Sequence, residues 1–107
     1  MPREKFQTLT EQMFYILLCL GEERCGADIM SEVAALTNGR VAVGPGTLYN
    51  LLEQFLHDGY IEETKAAGRR RSYRLTEKGR ILLREEYDRL RARIGDYESK
   101  MGKGERT

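Results

Sequence analysis
The sequence predicts a mainly α-helical domain that carries one small β-hairpin and ends in a long helix. Three observations predict it. The stretch Gly44 to Gly59, GPGTLYNLLEQFLHDG, reads as one amphipathic helix with punctuation at both ends. Two short alternating runs follow, Tyr60 to Thr64 and Arg70 to Leu75, joined by Lys65-Ala66-Ala67-Gly68. The chain then closes with Leu83, Tyr87, Leu90, Ile94, Tyr97 and Met101, spaced 4, 3, 4, 3, 4 as in a two-residue-wide heptad seam.

The chain has 107 residues, enough for one domain with its own core but little surplus. Its 18 Lys+Arg nearly balance 17 Asp+Glu, which argues against a uniformly basic nucleic-acid binder. The charges are unevenly spread: residues 1–39 hold three basic and six acidic side chains, residues 40–80 eight basic and five acidic. The positive excess therefore falls on the amphipathic helix and the hairpin. The longest apolar run, Met13 to Leu20, is far shorter than a membrane span. The first residues, MPREKFQTLTEQ, carry no signal-peptide pattern, so the expected location is cytoplasmic and no membrane partner is expected. Cys19 and Cys25 make no disulfide framework. Cys19, inside the apolar run, reads as buried filler. Cys25 falls near a helix start, where a thiolate is favoured, and is the cysteine to inspect for redox chemistry.

Taken in order, Thr8-Leu9-Thr10-Glu11 fits a capping box with Thr8 as N-cap. The helix it starts runs to about Gly21 and is apolar almost all round. Such a helix needs cover on several sides, some of which a second subunit could supply. Glu22 to Arg24 reads as a polar link. A second helix, from about Gly26 to Thr37, carries Ile29, Met30, Val33 and Leu36 on one face and stops at Asn38-Gly39. Arg40-Val41-Ala42-Val43 reads as a short strand. In the third helix Gly44 serves as N-cap, Pro45 takes the first helical position, and Gly59 suits a left-handed end. Leu48, Leu51, Leu52, Phe55 and Leu56 form its apolar face; Gly46, Asn50, Glu53 and Gln54 lie opposite, with Thr47 and Tyr49 on the flanks. Thr76 is a suitable N-cap for the last helix. Near Ile81-Leu82-Leu83 that helix has a broad apolar face and should anchor to the core; beyond it the narrow seam calls for another helix. Gly95 weakens its middle by about 1 kcal/mol relative to Ala. The expected division is 1–76 as a DNA-binding domain, 77–101 as a dimerisation helix and 102–107 as a disordered tail.

Helix, helix, short strand, helix, strand, strand, helix is the order of a winged helix-turn-helix. The third helix fits the major groove, and a basic hairpin beside it can neutralise phosphates of the adjacent backbone. The residues expected to meet the groove are Thr47, Tyr49 and Asn50, and those expected on the backbone are Arg69, Arg70 and Arg71. The expected dimer interface is the seam Leu83, Tyr87, Leu90, Ile94, Tyr97 and Met101. Two subunits joined there would put their recognition helices roughly 34 Å apart, one DNA turn, and favour a palindromic double-stranded operator.

The words Val43-Gly44-Pro45-Gly46-Thr47-Leu48-Tyr49, Leu51-Leu52, Asp58-Gly59-Tyr60-Ile61 and Gly68-Arg69-Arg70-Arg71-Ser72-Tyr73-Arg74-Leu75-Thr76-Glu77-Lys78-Gly79 resemble the PadR family of bacterial transcriptional regulators. The likeness runs from about Leu9 to Leu90 and is to the short members with a single C-terminal dimerisation helix. It implies a homodimeric repressor, with Tyr49 as the recognition-helix tyrosine and Lys65 with Arg69–Arg71 as the basic wing. A small-molecule effector is among the partners it implies. The chain departs from the family where Cys25-Gly26-Ala27 replaces a His-Gly-Tyr opening of the second helix, so the side-chain phosphate contacts of that opening do not carry over. It also lacks any Trp, so the drug-stacking site of some short members does not carry over.

Nothing in the sequence points to catalysis. His57, the one histidine, falls at a helix end beside Asp58 and reads as a surface residue. No Ser-His-Asp set, phosphate-cradling glycine loop or Cys/His metal spacing occurs, and no cofactor or metal is expected. The rival reading is a winged-helix protein-interaction module without a DNA role, since fold does not fix function.

Overall fold
The structure is a computed structural model that describes residues 8–67 and 70–102. Among the described residues, four helices and a three-stranded antiparallel sheet make up the fold: α1 (Glu11–Cys19), β1 (Arg24–Cys25), α2 (Gly26–Leu36), α3 (Pro45–His57), β2 (Ile61–Ala67), β3 (Arg70–Leu75) and α4 (Glu77–Met101). The sheet order is β1-β3-β2, so the hairpin's second strand lies in the middle. This is a winged helix, as the sequence predicts.

Two local expectations are corrected. Arg40 to Val43 is not a strand. Val41 and Val43 do point inward and are buried, as alternation requires, but side chains hold the backbone there. The buried Thr37 hydroxyl accepts from Val41 N–H at 3.1 Å, and Gln12 Nε2 donates to the Ala42 carbonyl at 3.0 Å. The third strand is instead Arg24–Cys25, inside the stretch read as a polar link. It pairs Arg24 with Tyr73 and Cys25 with Ser72. Two residues carry no periodicity, so only the distant partner strand reveals them.

The caps explain most boundaries. Thr10, not Thr8, caps α1: its hydroxyl accepts from Met13 N–H at 3.1 Å. No capping box forms, because the third helical residue is then Met13, and Glu11 is the first helical residue. Asn38 and Gly39 close α2 with φ of 56° and 79°, and Gly59 ends α3 at 81°. Thr76 caps α4 through Gly79 N–H and donates to the Gly59 carbonyl at 2.6 Å. Strand β2 continues through Lys65 to Ala67, residues expected in the turn, with a register shift between Glu63 and Lys65 that makes Thr64 the extra residue. Gly68 and Arg69 lie outside the described residues, as does the tail from 103 onward.

One core joins the helices to the sheet. Ile16, Leu17 and Leu20 of α1 and its cap, Ile29 and Val33 of α2, Leu48, Leu52 and Phe55 of α3, and Tyr73 and Leu75 of β3 are all buried in it. Cys19 belongs to that cluster, and burial, reinforced by Glu32 and opposed by Arg24, raises its thiol pKa to about 11. It is the inert filler expected. The first turns of α4 join the core through Gly79, Leu82 and Glu86. From Arg91 to Tyr97 every α4 residue is exposed. No described helix is long and apolar enough to cross a membrane.

Candidate nucleic-acid interface
Helix α3 turns its apolar face inward through Leu48, Leu51, Leu52 and Phe55. The 3.6-residue period then fixes the opposite side outward, and Thr47, Tyr49 and Asn50 are all exposed. Tyr49 leans toward the start of α2. A Cβ placed on Gly26 would sit 2.3 Å from the Tyr49 hydroxyl. The departure Cys25-Gly26-Ala27 therefore leaves room for that ring rather than supplying a side chain of its own.

Cys25, Gly26, Ala27, Tyr49, Arg70, Arg71 and Tyr73 border one cleft of about 360 Å³. Helix α2 begins there with Cys25 as N-cap and no side-chain cap. Its first N–H groups and the positive end of its dipole favour an anion at that place. The strand pair β1–β3, which sequence reading missed, is what brings Arg70 to this helix start: Arg70 Nη2 lies 3.3 Å from the buried Cys25 Sγ.

The remaining described wing cations have carboxylate partners. Arg71 forks onto Glu63 at 2.8 and 3.1 Å, reaches Glu53 of α3 at 3.8 Å, and lies over the Tyr73 ring at 5.6 Å from its centroid. Those hydrogen bonds hold Glu63 below the usual carboxylate range and push the Arg71 guanidinium pKa up. Arg74 pairs with Glu62 at 2.8 Å and Lys65 with Glu23 at 3.5 Å. Glu23 is itself lowered, first by a hydrogen bond from Thr64 and then by Lys65. Arg69 is outside the described residues.

A second surface lies on α4. The seam residues Tyr87, Ile94, Tyr97 and Met101 are 44–57% exposed, large apolar groups in a row on one helix. Leu83 and Leu90 are half-buried at the domain end of that row. Phe14 and Leu18 of α1, Leu75, Leu83 and Tyr87 line a cleft of about 370 Å³ beside it. His57 lies on the surface with its Nδ1 3.3 Å from Asp58 Oδ1. Among the described residues no group of His, Cys, Asp and Glu could hold a metal ion.

An exposed helix flanked by a basic antiparallel hairpin, on a helical core, is the build of a winged-helix transcriptional regulator rather than an enzyme. The chain belongs to the PadR-like family of transcriptional regulators, whose description matches residues 16–85. Solved structures agree with the fold. RosR of H. salinarum is 27% identical with a TM-score of 0.60, over 89% of this chain and 79% of that one. RosR in the complex designated RosR-S1 gives 27% and 0.64, over 84% and 77%. A transcriptional regulator from Clostridium thermocellum gives 23% and 0.67, over 78% and 89%, a likeness of fold alone. No match to a curated protein was found.

Gly26→Ala tests the packing of Tyr49. The obstructed atom is the end of a flexible side chain, so the ring can swing away and the fold should survive. Expected are a melting temperature close to wild type by circular dichroism and weakened DNA binding by fluorescence anisotropy. Unchanged binding would mean that the ring's position is immaterial.

Proposed function
We propose that the protein is a cytoplasmic homodimeric repressor that binds a palindromic double-stranded DNA operator. Helix α3 enters the major groove with Thr47, Tyr49 and Asn50, and the wing carrying Lys65, Arg69, Arg70 and Arg71 follows the flanking backbone. One observation carries this reading: the exposed side of α3 and the uncapped start of α2 meet at a single cleft with Arg70 at its edge. Helix dipole, open N–H groups and guanidinium all suit one phosphate there. Helix α4, residues 77–101, is the dimerisation element along the seam Leu83, Tyr87, Leu90, Ile94, Tyr97 and Met101, a reading supported by the exposure of Tyr87, Ile94, Tyr97 and Met101. The apolar cleft between α1 and α4 borders that seam, so an effector bound there would act on the subunit arrangement.

Asn50→Ala and Tyr49→Ala are expected to abolish operator binding in a gel shift while retaining near-native helicity. Asn50 is fully on the solvent side of α3, so its loss should leave stability within about 0.5 kcal/mol. Unfolding of Tyr49→Ala would make Tyr49 a packing residue. The rival, a protein-interaction module, predicts no shift of any duplex by the wild type at low salt.

A further inference from the structure
We infer that Arg71 is a positioning residue that braces the wing against the recognition helix, and that Glu63 withholds its charge from DNA, leaving Arg70 as the wing's phosphate ligand among the described residues. The inference rests on the DNA-binding reading above and sharpens it.

The geometry separates the two arginines, although they are neighbours in sequence. Successive residues of a strand face opposite sides of the sheet. Arg71 shares its side with Tyr73, over whose ring it lies, and with Glu63, which pairs with Tyr73 across the ladder. Both oxygens of Glu63 accept from the Arg71 fork, the bidentate arrangement that fixes a guanidinium in direction as well as distance. Glu53, one turn beyond Tyr49 on the exposed side of α3, lies 3.8 Å away on the other side of Arg71. One side chain thus touches β2, β3 and α3 together. Arg70 faces the other way, toward Cys25 and the start of α2, with a thiol rather than a carboxylate beside it.

This pairing has a consequence for recognition. Each cation that meets a phosphate releases counterions and steepens the salt dependence of binding by about one unit. A guanidinium already forked onto a carboxylate adds almost no net charge at the backbone, so it contributes little to sequence-independent affinity. The Arg74–Glu62 pair repeats the device on the same two strands. A wing neutralised in this way favours operator over random DNA, because the phosphate term is shared by both and the contacts of α3 are not.

The test is the salt dependence of binding to a mixed-sequence duplex, measured by anisotropy between about 50 and 200 mM salt. Arg70→Ala should lower the slope by about one unit. Arg71→Ala should weaken operator binding, because the wing loses its brace on α3. Glu63→Gln should free Arg71, steepen the slope by about one unit and raise affinity for the mixed-sequence duplex. The double variant Glu63→Gln with Arg71→Gln should return the slope to the wild-type value. If the double variant lowers the slope below wild type as Arg70→Ala does, Arg71 is a phosphate ligand and the inference falls while the DNA reading stands. If the double variant stays steep, Glu63 acts by repelling DNA and not through Arg71, which also overturns it. A wild type that binds neither duplex overturns both readings.

Discussion

Leu90→Glu with Ile94→Glu is expected to give monomers or aggregates that no longer shift operator DNA. Ile94 is 57% exposed and Leu90 half-buried, midway along an apolar seam that continues through Tyr97 to Met101. Four such groups in one row on a helix that projects from its domain need a partner surface. In the proposed dimer a parallel row on a second copy would supply one by symmetry, and α1, with Leu18 40% exposed beside the same cleft, would extend it. Burying each aliphatic side chain stabilises by about 1.5 kcal/mol or more. Two substitutions in each of two subunits would therefore remove about 6 kcal/mol, roughly four decades in the dimer dissociation constant. The buried carboxylates add to that cost. Sedimentation at micromolar concentration decides the matter. A monomeric wild type rejects the dimer, and a double variant that stays dimeric moves the interface elsewhere. Leu90 also borders the α1 start with Leu9 and Phe14, so Ile94→Glu alone is the control for damage to the domain's own packing.

The second large effect is expected at Gly79, and it is an effect on folding. A Cβ there would lie 2.0 Å from the Tyr60 carbonyl oxygen and 2.9 Å from Leu75 Cδ2. The Leu75 methyl can move, but the carbonyl is backbone and already accepts from Thr76 N–H at 3.0 Å. Gly79→Ala must therefore shift the first turn of α4 off the sheet. That forfeits the Thr76 cap and the packing of Leu82. Overpacking of this kind costs about 3 kcal/mol or more, which lowers the melting temperature of a domain of this size by roughly 12 °C. Gly95→Ala is the matched control on the same helix. Nothing lies within 4 Å of its Cβ position, so the alanine should stabilise α4 by up to about 1 kcal/mol. Thermal unfolding followed by circular dichroism should show opposite signs for the two substitutions. Equal shifts would remove the close approach of Gly79 to Tyr60 as an explanation.

The start of α1 and helix α4 are joined by a group that neither periodicity nor motif singled out. Glu86 is 4% exposed on the core side of α4, where it accepts from Arg89 Nη2 at 2.7 Å and from Leu9 N–H at 3.4 Å. A buried carboxylate needs such partners, because an unpaired charge in the interior is costly. In the sequence Glu86 is one acid among several on a charged helix. Only the approach of the α1 start to α4, two segments 77 positions apart, makes it interior.

What the sequence determined by itself is whatever depends on neighbours within a turn or two. Pro45, Gly59 and Thr76 set the ends of α3 and α4 because cap chemistry is local. The Leu48–Leu52–Phe55 face turned inward and so exposed Thr47, Tyr49 and Asn50, because helical period alone decides which side is which. The same holds for the alternation that buried Tyr73 and Leu75. What only the tertiary structure decided involves partners far along the chain. Strand β1 exists because β3 pairs with it, and Arg40–Val43 fails to be a strand because Thr37 and Gln12 occupy its backbone groups first. Three adjacent arginines read alike as a basic run. Folding set Arg70 beside Cys25 and Arg71 on Glu63, since strand alternation sends neighbours to opposite faces and the facing residues come from other elements. Local rules fix which side of an element a residue occupies, and the assembled fold fixes what it meets there.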